Sequence, residues 1–133
     1  MLFTFVLLIA VSALAVARQQ TFTATGTLQC NNKPAAGQTV ELKFTDPLLK
    51  GKVDASVKTG KDGSFKISGS KRARASQKAY LWIAHKCDSK KRNGCEVMTY
   101  IPIPASYDGK VYPAGKQELS KNVYYNSCDD KDN

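Results

Sequence analysis

The stretch that decides the fold is VELKF, residues 40–44, in which apolar and charged side chains alternate without interruption. An alternation of period two places every second side chain on one face of a β-strand, so this segment predicts a strand with one face on a core. The same pattern continues on both sides of it. It predicts further strands over residues 21–29, 53–57 and 65–67.

The second half of the chain also predicts strands. Residues 80–84 form a mostly apolar run that is typical of a central strand with both faces covered, and we expect Trp82 to lie in the core. Residues 97–101 predict another strand, which stops before Pro102 because proline cannot donate to a ladder. A last strand is predicted over residues 117–126.

Turn and loop residues separate these segments. The Asp-Gly pair within residues 60–63 tolerates positive φ and predicts a hairpin between the strands at residues 53–57 and 65–67. The polar and basic stretch at residues 69–78 predicts a surface connection. About seven short strands with no convincing amphipathic helix are the signature of an all-β fold, a β-sandwich of two antiparallel sheets.

The N-terminus has the pattern of a secretory leader. Residues 2–16 are almost unbroken in apolar character and end in the small-residue pattern that signal peptidase recognises. We predict a cleaved signal peptide at residues 1–17, a single domain at residues 18–128 and a flexible acidic tail at residues 129–133. An uncleaved anchor is the weaker alternative, because the run is short against the roughly 20 residues that span a bilayer. The mature protein is expected to be secreted and extracellular, without a transmembrane segment.

Four cysteines indicate the same compartment. An even number of cysteines in a small exported domain predicts disulfides, which form and persist in oxidising surroundings. The sequence allows three pairings. We favour Cys30–Cys87, which joins the ends of two strand-like segments, and Cys95–Cys128, which closes the C-terminal part. Loop-closure entropy makes each worth about 3 to 4 kcal/mol.

Several short motifs, each weak alone, occur in a specific order and spacing. They are GTLQC at residues 26–30, PAAG at 34–37 before VEL at 40–42, TGKDGSF at 59–65, ISG at 67–69, HKC at 85–87, and IPIP at 101–104 before Tyr107. Together they resemble the nematode transthyretin-like proteins over nearly the whole mature chain. The resemblance implies a transthyretin-type sandwich that is exported from the cell.

The resemblance also bears on catalysis. A related enzyme on this fold hydrolyses 5-hydroxyisourate and uses more than one histidine, an arginine and a C-terminal Tyr-Arg-Gly-Ser. This chain has one histidine, His85, and ends in Asp-Asp-Lys-Asp-Asn. We therefore expect no hydrolase activity and, because no other catalytic constellation is recognisable, neither enzymatic activity nor a cofactor.

His85 invites one further interpretation, as a zinc ligand with Cys87 and Cys95, since imidazole and thiolate both bind zinc. Their spacing matches no common zinc motif, and an oxidising compartment pairs thiols into disulfides first. No metal site is predicted. His85 is instead interpreted as a strand-end residue that packs beside a disulfide.

Charge is the most informative functional signal. Lysine and arginine number 20 against 11 acidic residues, which gives a formal net charge of +9 and favours acidic partners. Two basic clusters flank the strand at residues 80–84, and the strand rise places them roughly 20 Å apart. The residues predicted to bind an anionic partner are Lys71, Arg72 and Arg74, near Lys78, and Lys90, Lys91 and Arg92, near Lys86.

These clusters predict a secreted binding or adaptor protein that engages an anionic lipid surface, an acidic glycan or a cell-surface receptor. The plain alternative is that each cluster only keeps the protein soluble. Nucleic acid is a poorer candidate, because no aromatic residues interleave with the basic residues.

A carrier of an apolar small molecule, held between the sheets or at an oligomer interface, is the alternative function. Aromatic side chains would supply a second surface, although such tyrosines more often cover a sheet face than bind a ligand. These tyrosines are Tyr100, Tyr107, Tyr112, Tyr124 and Tyr125.

Overall fold

The computed structural model describes residues 18–45, 52–73 and 77–129, which form two β-sheets around one core. The predicted leader at residues 1–17, Arg74, and residues 130–133 of the predicted tail lie outside the described residues. The strands are β1 (Arg18–Cys30), β2 (Lys33–Pro34), β3 (Thr39–Phe44), β4 (Val53–Lys58), β5 (Ser64–Ala73), β6 (Ala79–His85), β7 (Val97–Ile103), β8 (Val111–Glu118) and β9 (Tyr125–Asn126).

The two sheets confirm the predicted β-sandwich. Sheet A has the order β2-β1-β5, with β8 also paired to β1, and sheet B has the order β4-β3-β6-β7-β9. One detail differs from the prediction of antiparallel sheets, because β8 runs parallel to β1. β8 reaches sheet A from β7 of sheet B, through a 3-10 helix at Ala105–Tyr107. A strand that arrives by a crossover, and not by a hairpin, need not run antiparallel to its neighbour.

The core lies between the sheets and contains the alternate residues of the sequence pattern. Val40, Leu42 and Phe44 of β3 are fully buried, and the rings of Phe44 and Phe22 lie 5.7 Å apart at their centroids. Burial of each such side chain contributes about 1.5 to 3 kcal/mol. β5, β6 and β7 add Ile67, Leu81, Ile83, Ile101 and Ile103.

Residues 59–63 do not form the predicted hairpin. β4 pairs with β3 in sheet B, whereas β5 pairs with β1 in sheet A, so this turn carries the chain from one sheet to the other. Gly63 adopts a φ of 81°, and its carbonyl accepts the N–H of Leu28 at 2.8 Å. The alternation of apolar residues could not reveal this crossing, because it sets which face is buried and not which strand is the neighbour.

Two predicted boundaries are also wrong. Residues 69–78 are not all a surface connection, because β1 begins at Arg18 and keeps β5 in register as far as Ala73. The predicted last strand at residues 117–126 is divided, since β8 ends at Glu118 and a turn precedes the short β9.

Trp82 is not the core residue that the sequence predicts. In β6 the side chains of Leu81, Ile83 and His85 are buried in the sandwich, so Tyr80 and Trp82 lie on the outer face of sheet B. A continuously apolar run carries no alternation, and the sequence therefore could not show which half of its side chains faces the core.

Two disulfides have the pairing favoured from the sequence. Cys30–Cys87 joins the end of β1 in sheet A to the segment after β6 in sheet B. Cys95–Cys128 ties the segment before β7 to the segment after β9. Across the described ranges, no helix has the length and apolar character needed to cross a membrane.

Candidate functional site

The connection between β6 and β7, residues 86–96, is here called the basic loop. It is organised around Asp88, whose side chain is 1% exposed. The Asp88 carboxylate accepts hydrogen bonds from Arg92 Nε at 2.7 Å, Arg92 Nη2 at 3.1 Å and Asn126 Nδ2 at 3.1 Å. The hydrogen bonds from Arg92 hold the pKa of Asp88 well below its usual range despite the burial of the carboxylate. Asp88 is therefore the structural anchor of the loop.

Arg92 is already engaged inside the loop. Besides its bonds to Asp88, Arg92 Nη2 donates to Asp129 Oδ1 at 2.9 Å, so two carboxylates share the guanidinium. The guanidinium charge of Arg92 is thus balanced inside the loop, and its role in binding an anionic partner stays a prediction.

The lysines of the basic loop have a different environment. Lys86, Lys90 and Lys91 are exposed, and within the described part of the chain none of them forms a salt bridge. Lys91 has a φ of 55° and its N–H donates to the carbonyl of Asp88 at 2.9 Å, so the tip of the loop is a tight turn. The loop thus presents three cations on a well-defined backbone.

The first predicted cluster is partly on a strand. Lys71 and Arg72 are successive residues of β5, and their side chains therefore point to opposite faces of sheet A. Lys71 is half-buried beside Gln20, while Arg72 is exposed. The backbone N–H of Gln77 donates to Gln20 Oε1 at 2.9 Å, which brings the exposed Lys78 to the same end of the sandwich. We call Lys71, Arg72 and Lys78 the strand-end cluster.

The basic loop and the strand-end cluster lie at opposite ends of β6. Lys78 precedes this seven-residue strand and Lys86 follows it. The strand rise separates the two groups by roughly 20 Å or more. They therefore form two surfaces and not one continuous stripe.

His85 has a hydrogen-bond partner at each ring nitrogen. Nδ1 accepts the backbone N–H of Cys87 at 3.0 Å, so Nε2 carries the proton and donates to Thr99 Oγ1 at 2.8 Å. Thr99 in turn donates to the carbonyl of Asn122 at 2.7 Å. Burial lowers the pKa of His85 to about 4, and the ring is therefore neutral at physiological pH. This geometry makes His85 a structural residue and supplies neither a general base nor an available metal ligand.

A cavity of about 360 Å³ opens beside His85 at the rim of the sandwich. Its walls include the Cys30–Cys87 disulfide, Ala35 and Leu119. In the described residues, every buried side-chain nitrogen and oxygen has a hydrogen-bond partner, so no unsatisfied polar group points to a ligand here.

The outer face of sheet B carries a cluster of Tyr80, Trp82, Tyr100 and Tyr124, here called the aromatic face. Ring centroids lie 5.2 Å apart for Tyr80 and Tyr100, and 5.5 Å apart for both Trp82–Tyr124 and Tyr100–Tyr124. Lys43 Nζ lies 5.4 Å from the Trp82 ring centroid. Tyr124 is 49% exposed whereas Tyr80 is only 2% exposed, so the cluster reaches solvent at the Tyr124 side. Aromatic residues in such a position are typical of binding surfaces.

Only part of the aromatic face can be predicted from the sequence. Tyr100 and Tyr124 are among the predicted surface tyrosines, whereas the sequence predicts Trp82 to lie in the core. The missing information is the pairing of β6 with β7, which sets Trp82 opposite Tyr100. The adjacent pair Tyr124-Tyr125 was a usable signal, because two successive aromatic residues on a strand cannot both face the core.

Comparison with known proteins identifies the family. Residues 25–104 match the family model described as TTR-52, transthyretin-like family. The chain belongs to the transthyretin-like family. The part that matches this transthyretin-like model runs from β1 to just after β7 and includes the whole basic loop.

Relatives support the membership in the transthyretin-like family. Transthyretin-like protein 16 of Caenorhabditis elegans is 32% identical over 107 residues, which cover 80% of each chain. Transthyretin-like protein 2 of the same nematode is 31% identical over 120 residues, with 79% of this chain and 78% of the relative covered. These matches confirm the resemblance to nematode transthyretin-like proteins.

Among solved structures, a 9R-lipoxygenase from Cyanothece PCC8801 is similar with a TM-score of 0.44 and 16% identity. The similar region covers 85% of this chain and only 20% of the lipoxygenase chain. A likeness this weak carries no argument about fold or activity.

Proposed function

We propose that this transthyretin-like protein is a secreted, non-enzymatic binding protein whose basic loop engages an anionic partner. The observation that carries the proposal is a loop backbone held by hydrogen bonds that presents lysines without a salt bridge to any residue the structure describes. The Asp88–Arg92 ion pair holds the loop, while Lys86, Lys90 and Lys91 are exposed on it. A loop that is ordered in advance loses little conformational entropy on binding.

The chemistry of the partner follows from this charge. The formal net charge of +9 attracts anions at long range, and each lysine near an anionic lipid surface adds about 1 kcal/mol. Phosphate, sulfate or carboxylate groups on a phospholipid surface, a glycan or a receptor would satisfy the three lysines. The strand-end cluster is a second, separate basic surface for such partners.

Membership in the transthyretin-like family favours a binding protein over an enzyme. The engaged nitrogens of His85 support the same choice, because the chain has no second histidine to act as a base. Secretion is supported by the predicted leader and by two disulfides, which persist in oxidising compartments.

Binding to vesicles and to heparin tests the proposal. The purified, oxidised protein is titrated with phosphatidylcholine vesicles with and without phosphatidylserine, and with heparin, at low and physiological salt. We expect salt-sensitive binding, and Lys90→Ser with Lys91→Ser should weaken it about tenfold at low salt.

The matched control is Lys52→Ser with Lys58→Ser, which removes the same charge from exposed positions at the β4 edge of sheet B. The control should bind almost as tightly as the unaltered protein. An equal loss in both variants, or no binding to either probe, would contradict the proposal.

A second candidate function, carriage of an apolar small molecule, is favoured by the aromatic face. Trp82 is the single tryptophan of the chain, so its fluorescence reports a ligand at this face. Binding of an uncharged naphthalene probe should quench Trp82 independently of salt and should be weakened by Tyr124→Ser. Val111→Ser, an exposed change on sheet A, is the control. Unchanged fluorescence at saturating probe argues against carriage at this face.

A further inference from the structure

The outer face of sheet A carries a row of hydroxyl groups. Threonine occupies every second position of β1 from Thr21 to Thr27. These side chains point outward because the intervening Phe22 and Ala24 are buried in the core. The strand β5 lies beside them with its own outward side chains. We call this surface the hydroxyl strip; it consists of Thr21, Thr23, Thr25 and Thr27 of β1 with Ser64, Lys66, Ser68, Ser70 and Arg72 of β5.

The hydroxyls of the strip form cross-strand pairs. Thr21 Oγ1 lies 2.8 Å from Ser70 Oγ, and Thr23 Oγ1 lies 2.8 Å from Ser68 Oγ. One hydroxyl of each pair donates to the other, so the O–H of the accepting hydroxyl is not used within the pair and is free to rotate toward a ligand. The pairs repeat every two residues, roughly 7 Å along the strands. The strip therefore offers a regular row of donors and acceptors.

Cations accompany the hydroxyls. Lys66 stands opposite Thr25 in β5, and Lys116 of β8 stands beside Thr27 on the other side of β1. Arg72 lies beyond Ser70 at the end of β5 and belongs to both the strip and the strand-end cluster. All three cations are exposed.

Carboxylates are confined to the borders of the strip. Neither the 13 residues of β1 nor the 10 residues of β5 include an aspartate or a glutamate. Asp62 lies at one end, where it accepts the O–H of Ser64 at 2.6 Å, and Asp108 lies at the other, where it accepts the N–H of Thr21 at 3.0 Å. The electrostatic character of the strip between them is positive.

We propose that the hydroxyl strip binds a linear sulfated glycan that lies along β1 and β5. Sulfate groups would pair with Lys66, Lys116 and Arg72, and sugar hydroxyls would exchange hydrogen bonds with the threonine and serine hydroxyls. The outward positions from Ser64 to Arg72 span roughly 25 Å, a length that suits an extended chain. The outward side chains of β1 and β5 are all polar, and the exposed Val111 and Pro113 of β8 border the strip only at its edge, which favours a polar partner over a bilayer. The inference goes beyond the proposed function, because it assigns an anionic partner to a surface separate from the basic loop.

Two variants of the oxidised protein test the strip on immobilised heparin. Thr23→Val with Ser68→Ala removes one hydroxyl pair without changing charge, and we expect about fivefold weaker binding. Lys66→Gln with Lys116→Gln should weaken binding about tenfold at low salt. Lys52→Gln with Lys58→Gln, which removes equal charge from the β4 edge of sheet B, is the control and should change binding little. Thermal melts establish that each variant is folded.

The outcomes separate this inference from the proposed function. Heparin binding that depends on Lys90 and Lys91, but not on the hydroxyl pair or on Lys66 and Lys116, overturns the strip and leaves the basic loop in place. Binding to phosphatidylserine vesicles through Lys66 and Lys116, without binding to heparin, overturns the glycan and indicates a membrane surface. Loss of heparin binding in the strip variants alone supports the strip and excludes the basic loop as the heparin site, while vesicle binding still tests the basic loop.

Discussion

His85 and Asp88 are buried ionisable residues three positions apart. The fold stabilises the neutral form of one and the charged form of the other. Asp88 stays charged because Arg92 and Asn126 donate to its carboxylate. His85 stays neutral because burial disfavours its charged form and both nitrogens already have partners. The surroundings of each side chain, and not its residue type alone, decide its role, so the single histidine near two cysteines is a structural residue.

The neutral state of His85 predicts a loss of stability in mild acid. The pKa of His85 is about 4 in the folded protein and about 6.5 when it is unburied, so between these values the unfolded chain binds more protons. Its stabilising contribution is complete above pH 6.5 and is lost as the pH falls toward 4. Unfolding free energy measured by urea denaturation should fall by about 2 kcal/mol from pH 7.5 to pH 5.

The chain's single histidine makes this experiment specific. A His85→Gln variant keeps an amide donor and a carbonyl acceptor but does not titrate, and its stability should be nearly flat over the same interval. Equal stability of the unaltered protein at pH 5 and pH 7.5 would contradict the assignment of a neutral, buried ring.

Turns link the elements of this fold over long distances in sequence. Asn31 and Asn32 form the turn from β1 to β2 with φ values of 52° and 66°, and Glu118 at the end of β8 accepts both of their N–H groups. Burial alone would raise the pKa of Glu118, but these hydrogen bonds and those from Ser120 lower it to about 2. The carboxylate therefore fastens β8 to the far end of β1.

A comparison of two glycines with positive φ separates the cost of backbone strain from the cost of a steric collision. Gly63 and Gly37 have φ values of 81° and 68°, but only at Gly63 would a Cβ collide with another group, the carbonyl oxygen of Leu28. We expect Gly37→Ala to cost about 1 kcal/mol of unfolding free energy, from the left-handed backbone alone. Gly63→Ala should cost at least about 3 kcal/mol, because strain and collision add. Similar losses in the two variants, measured by urea denaturation, would show that the turn at residues 59–63 does not approach Leu28 this closely.

The whole molecule is a sandwich with different surfaces on its two faces and two ends. The basic loop and the strand-end cluster occupy the ends, while the aromatic face and the hydroxyl strip occupy the outer faces of sheets B and A. The two disulfides serve different parts of this arrangement. Cys30–Cys87 connects the sheets, and Cys95–Cys128 braces the basic loop.

Removal of each disulfide should therefore have a different effect. Cys30→Ala with Cys87→Ala removes a covalent link between residues 57 positions apart in sequence. This change should lower the unfolding free energy of the whole domain by about 4 kcal/mol. Cys95→Ala with Cys128→Ala should increase hydrogen exchange mainly in the basic loop and weaken heparin binding there. Urea denaturation checks the first expectation, and hydrogen exchange followed by mass spectrometry, together with a heparin titration, checks the second. Uniform exchange increases in the second variant would contradict a local bracing role.

The residue pattern alone predicts the position of some side chains and not of others. Alternation in β3 correctly selected Val40, Leu42 and Phe44 for the core, because a half-buried strand shows its buried face in its residue pattern. The position of Trp82 cannot be predicted in this way, because an apolar run lacks that pattern. Lys90, Lys91 and Arg92 remain candidate site residues, but the sequence could not reveal that Arg92 donates to Asp129, a partner 37 positions away.

By itself the sequence determined the β-sandwich class, the family and most core positions, since these depend on local alternation and on motifs in fixed order. Only the tertiary structure decided strand order, the crossing at residues 59–63, the parallel pairing of β8 and the neighbours of each charge. Strand pairing joins residues that are distant in sequence, and the alternation that buries a face is the same whichever strand lies beside it. The aromatic face and the hydroxyl strip are made of such pairings, and the strip exists only because β1 and β5 are neighbours.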